Sequence, residues 1–377
     1  MTPTTRSDAP LAGVLVLDVA RMLPGAVLAR ALLDLGARLI KVADPVTGDP
    51  LRNAPPDVGG VGAGFATFLR GAESVCLDLA RPEGAARLRK LARHADVLVE
   101  SFRPGTMSKW GLGPDRLRAA NPTLVVCSLS GFGTRGEAAR WIAHDLNLTA
   151  SSGLLSLLPL AQGIPRIQLA DVTTGVLAGS AILAALLRRA RTGSGAVIDQ
   201  PLATGVLPLL TWVMADQSAG GGGLNDQILA GGCPCYRTYP CGDGAVLAVG
   251  TLEPKFWAGF CELIGRPDLA ALGLDAGEAG ARAAAEVAAV LATRPCGHWV
   301  ALARERGLPV NAVESPAAAL GPGGFLEATG LGEATPLARG GGLAAAGPWV
   351  PSLGRTPPGP APALGEHTDA IVDEFGL

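Results

Sequence analysis

Apolar residues in this chain fall into short unbroken runs, separated by longer stretches in which they recur at helical spacing. Gly13–Asp18 (GVLVLD) is a continuous β-branched and leucine run, which suits a parallel strand covered on both faces. After a loop holding Arg21, Pro24 and Gly25, the segment Ala26–Leu35 has helical spacing and stops at Gly36, and Leu39–Val42 resumes strand character. The alternation continues with Ser74–Leu77 as strand, Pro82–Arg93 as helix, Val97–Glu100 as strand, Asp115–Ala120 as helix and Thr123–Leu129 as strand. Such alternation predicts a doubly wound, Rossmann-like α/β domain.

Further along, the longest apolar run, Val172–Leu187, is broken by Thr173, Thr174, Gly175, Gly179 and Ser180. It is shorter than the roughly 20 residues of a membrane-spanning helix and reads as a buried core helix. From Ala203 to Gly223 a helix gives way to Ser218, Ala219 and a run of glycines, which is linker chemistry and marks a domain boundary. Beyond it, Cys235–Val249 reads as a hairpin around Gly242, Asp243 and Gly244, followed by helices at Pro254–Ile264 and Ala281–Thr293. This predicts a second, smaller α+β domain. The Gly/Pro/Ala-rich stretch Ala338–Pro362 reads as an extended, mostly irregular return before a helix at Asp369–Phe375.

Composition narrows the function classes. A chain of 377 residues exceeds what one core ordinarily supports, about 250–300 residues. With 31 basic and 33 acidic side chains, net charge −2, there is no overall positive field for a nucleic acid or an anionic membrane, so neither is expected as a partner. Met1–Pro10 lacks the charged start and apolar run of a secretory signal, and a cytoplasmic protein is expected. Seven cysteines, an odd number, then imply reduced thiols. Cys233, Cys235 and Cys241 with His298 would be the nearest approach to a zinc set, but the CxC step is not the usual ligand spacing, and no metal is expected. Gly220–Gly223 lacks the Lys-Ser/Thr of a phosphate loop.

Several blocks occur in a recognisable order: LAGVLVLDVARMLPGAVLARALLDLGARLIKVADP (Leu11–Pro45), GDPLR (Gly48–Arg52), ADVLVESFRPGTMSKWGLGPDRLRAANPTLVVCSLSGFG (Ala95–Gly133), AHDLNLTASSGLLS (Ala143–Ser156), QLADVTTG (Gln168–Gly175), RTGSGAVIDQPL (Arg191–Leu202), YPCGDGAVLAVGTLEPKFW (Tyr239–Trp257) and GEHT (Gly365–Thr368). With these, FRPG followed by GLGP and SGFG above all, the chain resembles the family III CoA-transferase and alpha-methylacyl-CoA racemase superfamily. The resemblance implies an interlocked homodimer acting on acyl-CoA thioesters, with no cofactor beyond CoA itself. Residues 1–200 would form the N-terminal part of a large CoA-binding domain, 201–226 a linker, 227–326 a small domain, and 327–377 the return to the large domain. Active sites would lie between the large domain of one subunit and the small domain of the other.

Moving a proton at the carbon beside a thioester carbonyl needs a base on one face, an acid on the other, and stabilisation of the enolate oxygen. His144 carries the side chain whose ordinary pKa, about 6.5, lies nearest working pH. Asp171 ends an apolar, strand-like run ahead of an apolar helix, and is expected at a strand's carboxyl end, where doubly wound sheets place their ligands; the same position would suit an N-cap. In the racemase branch, the residues matching His144 and Asp171 are the two bases, the match to Glu253 supports the histidine from across the interface, and Asp145 completes a His-Asp pair. The transferase branch instead uses the match to Asp171 as a nucleophile that comes to carry CoA as a thioester. Having both His144 and Glu253 favours the racemase, with the transferase as the alternative and a non-catalytic acyl-CoA binder as a third reading.

CoA brings phosphates, and Lys41, Arg52, Arg70, Arg103 and Lys109 stand in or near loops where strands end. By resemblance, Lys41, Arg103 and Lys109 match cationic sites that touch CoA. Departures from the family pattern are Ala72 and Glu73 in place of two cations, Ala43 for an acidic residue, Ser101 for an asparagine, and Glu137 for a proline.

Overall fold

The computed structural model describes residues 8–353 and 359–377. Residues 1–7 of the N-terminal segment, and 354–358 of the expected C-terminal return, lie outside the described residues. The fold is mixed α/β and divides into two compact units: one contains the chain up to Leu209 together with Phe325–Leu377, the other is Leu210–Gly324.

The first unit is organised by a parallel sheet of six strands: β1 (Leu15–Asp18), β2 (Arg38–Ala43), β3 (Glu73–Cys76), β4 (Val97–Glu100), β5 (Val125–Ser130) and β6 (Ala196–Pro201), in the order β3-β2-β1-β4-β5-β6. That is the doubly wound order, in which the direction of winding reverses between β1 and β4 and ligands gather beyond the carboxyl ends of the strands. Alternation along each strand splits its side chains between two cores. Val16, Leu39, Val97, Val99, Val125 and Cys127 enter one, and Leu15, Leu17, Ile40, Val42, Leu98 and Val126 the other. Apolar on both faces, the strands read as unbroken runs.

The helices of this unit are α1 (Met22–Asp34), α2 (Ala63–Phe68), α3 (Pro82–Leu91), α4 (Thr106–Lys109), α5 (Pro114–Ala120), α6 (Asp145–Ser151), α7 (Leu169–Thr192) and the C-terminal helix Thr368–Phe375. α1 and α7 cover the first core through Leu28, Leu32, Ala178 and Ile182. α3, α5 and the C-terminal helix cover the second through Leu88, Leu91, Leu117 and Ile371. Two glycines let α7 pack closely. A Cβ on Gly175 would lie 2.6 Å from Val27 Cγ1 of α1, and one on Gly205 would lie 2.3 Å from Thr174 Oγ1 of α7.

Two expectations change here. The run Val172–Leu187, read from the sequence as a buried core helix, lies within α7. α7 runs for 24 residues, long and apolar enough to cross a membrane by length and composition. It buries one stripe against α1 and leaves Val176, Leu183 and Leu187 exposed. The stretch Ala338–Pro362, expected to be mostly irregular, supplies one strand of an antiparallel ribbon, Gly342–Ala346, paired with Gly332–Pro336 just ahead of it. Its alanines and glycines carry too little hydrophobic contrast to print a period of two on the sequence.

In the second unit, strands Tyr236–Pro240, Val246–Gly250 and Val310–Ala312 form an antiparallel sheet. Helices Pro254–Leu263, Glu278–Leu291 and Cys296–Glu305 pack on it around Trp257, Phe260, Val287, Leu291 and Trp299. Cys233, Cys235, Cys241, Cys261 and Cys296 belong to this apolar core as free thiols, whereas His298 is exposed.

One buried charge cluster stands out in the first unit. Lys41 Nζ, on β2, lies 3.0 Å from Asp18 Oδ2 and 2.9 Å from Asp49 Oδ2, all three side chains being 2% exposed, and it also donates to the Ala20 carbonyl. Burial alone would push the ammonium down, but Asp18 and Asp49 hold it above its ordinary value. Two carboxylates face one ammonium, and burial pushes Asp18 up. Lys41→Met leaves both carboxylates without their cation and is expected to cost about 3–5 kcal/mol; denaturant midpoints within about 1 kcal/mol of the parent would contradict this.

Candidate active site

The loop that leaves β1 is built by that cluster. Asp18 Oδ1 accepts the Ala20 N–H at 2.9 Å, and Asp49 Oδ1 accepts the Met22 N–H at 3.1 Å. Met22 is held at φ +63°, the one non-glycine in the left-handed region among the described residues. Backbone held in that region costs of order 1–3 kcal/mol and persists only where its surroundings over-determine it. Here the Asp49 carboxylate and Lys41 behind it do so. Arg21 and Met22 are thereby presented, exposed, at the carboxyl end of the sheet.

Two neighbouring cavities meet at Met22, His144 and Asp171. One, of about 500 Å³, has walls of Leu23, Leu51, Phe68, Leu146, Leu155, Leu158, Ile164 and Ile167, with no lysine or arginine among the described residues that line it. The other, of about 740 Å³, runs past Arg21, Phe102, Arg103, Ser130 to Thr134 and Arg140. His144 and Asp171 therefore face the same space, as proton transfer at one carbon would require. His144 is the N-cap residue of α6 and is exposed; its N–H donates to Asn147 Oδ1 at 2.9 Å.

Asp171 is not at the end of a strand, and it is not an N-cap. Gln168 caps α7, and Asp171 stands in the first helical turn. The residues ahead of it, Ile164 to Ile167, are irregular chain whose apolar side chains line the first cavity, which is why they resemble a strand in the sequence. The Asp171 N–H donates to Asp145 Oδ1 at 3.0 Å, tying α7 to α6. Burial, and next the Asp145 charge, push the Asp171 carboxyl up to about 7. A carboxyl so placed exchanges its proton near neutrality.

Glu253 belongs to the second unit, as the exposed N-cap residue of helix Pro254–Leu263. The expected cations divide. Lys41 is enclosed by Asp18 and Asp49. Arg52 is buried, donates to the Pro362 carbonyl at 2.8 Å and lies 4.1 Å over the Phe65 ring. Arg70 is buried between Asp34 (3.3 Å) and Glu333 (2.9 Å). These three hold the fold together, a different task from the phosphate contact expected of them. Arg103 and Lys109 are exposed, and Arg103 lines the larger cavity. Arg21 and Met22 were not singled out from the sequence, although a loop directly after the first strand of a doubly wound sheet is a position that calls for it.

A family model described as CoA-transferase family III matches residues 11–368. The human alpha-methylacyl-CoA racemase is 38% identical over 253 residues, covering 66% of this chain and 63% of that protein, so this match spans less than two thirds of its length. An acetyl-CoA:oxalate CoA-transferase from Acetobacter aceti is 33% identical, covering 82% of this chain and 83% of that one. Among solved structures, a CAIB/BAIF family protein from Brucella suis superposes with a TM-score of 0.83 at 28% identity, covering 98% of this chain and 100% of that chain.

The coupling of the two aspartates can be tested by titration. Because the folded carboxyl of Asp171 lies above its ordinary 3.8, the stability it contributes is full at low pH and is lost as pH rises through about 7. The melting temperature of Asp171→Asn should therefore gain on the parent between pH 5 and pH 8, as about those limits imply. In Asp145→Asn the Asp171 titration, followed by carboxyl NMR, should move to lower pH, because a negative neighbour is gone. A gain absent in the first variant, or an upward move in the second, would contradict the assignment.

Proposed function

Since the chain belongs to CoA-transferase family III, whose members similar to it include both racemases and CoA-transferases, we propose that it is an enzyme that epimerises acyl-CoA thioesters at the carbon beside the carbonyl, with branched, apolar acyl groups such as 2-methylacyl chains as substrates. The observation that carries this reading is Asp171: a carboxyl raised to about 7, opening with His144 onto an apolar cavity. One of the pair takes the α proton and the other returns one to the opposite face. Near neutrality Asp171 is populated in both states, so either partner can act as base, as reversible epimerisation requires. The N-terminal end of the α7 dipole would supply partial positive charge toward the enolate oxygen.

The transferase alternative would use the same Asp171 carboxylate as a nucleophile, so this residue does not separate the two reactions. The absence of lysine and arginine among the described residues lining the 500 Å³ cavity disfavours short dicarboxylates as acyl groups. In this proposal Arg103 and Lys109 steer the CoA phosphates, and the active form is an interlocked dimer in which Glu253 of the partner subunit orients His144.

Incubating the protein with a chiral 2-methylacyl-CoA in heavy water tests the proposal. Exchange of the α proton with inversion is expected, falling about 10²- to 10⁴-fold in His144→Ala and in Asp171→Asn. CoA appearing on an added carboxylic acid, without exchange, would make the protein a transferase. Binding with neither reaction would leave it a binder.

A further inference from the structure

At the carboxyl ends of β4, β5 and β6, three polar residues stand side by side. Glu100 is the register partner of Ser128, and Ser128 of Asp199; register partners in a sheet share a face. Glu100 is buried, 8% exposed. Burial pushes its carboxyl up, and hydrogen bonds from the Ser128 hydroxyl and the Phe102 N–H act the other way. An acid is a costly choice for so enclosed a position unless its oxygens are used.

Each end of this row holds a loop. Glu100 Oε2 accepts the Phe102 N–H at 2.7 Å. The Phe102 ring is held in turn, edge-on to Trp110 with centroids 5.0 Å apart and with the Arg21 guanidinium carbon 5.2 Å from its centre. Arg103 follows directly, exposed and in no ion pair among the described residues. At the other end, Asp199 Oδ2 accepts the hydroxyl of Thr134 and, at 2.9 Å, its N–H. Gly133 fits there because a Cβ on it would lie 2.7 Å from Pro201 Cγ. Arg103 and Thr134 both line a narrow recess of about 180 Å³ that also has Glu100 and Ser128 in its wall, and both line the larger cavity.

We propose that Glu100, Ser128 and Asp199 are one positioning unit, which fixes the Phe102–Arg103 turn and the Gly131–Thr134 loop relative to each other so that Arg103 meets a phosphate of the CoA handle. The inference rests on the acyl-CoA reading above and adds residues that touch neither the reacting carbon nor the acyl group. Glu100 acts through Arg103, by accepting one N–H. None of the three lines the apolar cavity beside Asp171. The unit therefore governs how tightly the handle is held and leaves proton transfer to His144 and Asp171.

Calorimetric titration of the full chain with CoA, which needs no turnover, tests this together with the rate of α-proton exchange at saturating acyl-CoA. Glu100→Leu removes the acceptor and should weaken CoA binding about tenfold, as loss of one hydrogen bond to a charged group implies, with the saturated rate within about twofold of the parent. Glu100→Gln keeps an oxygen for the Phe102 N–H and should bind within about twofold of the parent. In an Arg103→Ala background, Glu100→Leu should change binding by less than about twofold, because both substitutions act on one contact. Parent-like binding by Glu100→Leu, a Gln variant as weak as the Leu variant, undiminished weakening without Arg103, or a saturated rate that falls as far as the binding each overturns the inference. Should Glu100→Leu not fold, Asp199→Ala on the edge strand β6 carries the same readout: weaker binding at an unchanged saturated rate is expected, and parent-like binding overturns the inference. A parent that binds CoA without exchanging the α proton fails the epimerase reading alone; one that binds no CoA removes both.

Discussion

The first unit depends on one buried ammonium. Lys41 Nζ joins the end of β1, through Asp18 and the Ala20 carbonyl, to Asp49 of the following segment, and Asp49 in turn holds Met22 in its left-handed conformation. Taking such a group out of water is expensive, and a well-packed apolar trio is often as stable. What the ion cluster supplies is direction. It fixes where the loop after β1 turns, and that loop borders both cavities that meet at Met22. A lysine expected to meet substrate is instead what shapes the ground around it.

Above that base, the chemistry is set by environment. Asp145 and Asp171 stand side by side, and burial, with the Asp145 charge next, pushes the Asp171 carboxyl up. The hydrogen bond from the Asp171 N–H draws Asp145 close enough to act on its neighbour while its own charge is partly satisfied.

Much of the architecture is written in the sequence, because strands apolar on both faces appear as unbroken runs. All of β1 to β5 fall within a residue or two of the runs that announce them. The ribbon at Gly332–Ala346 is invisible in a stretch of alanine and glycine, and the irregular apolar segment before α7 imitates a strand. His144 and Asp171 were found as residues, but the environment that tunes Asp171 needs burial and distance to be seen. Cations are the hardest to read. Nothing in the local sequence of Lys41, Arg52 or Arg70 says that carboxylates, a carbonyl or a ring from far along the chain already occupy them.

The two sides of the cavity beside Asp171 are anchored differently. Asp171 rides on a helix whose early turns are pressed onto α1 at Gly175 and against Gly205, where even a methyl group has no room. Half of the apolar wall, Leu155, Leu158, Ile164 and Ile167, comes from short turns and irregular chain. Mutations there can reshape the wall without shifting the acid. Such a division leaves the shape of the wall free to vary while backbone contact keeps the Asp171 carboxyl where it is.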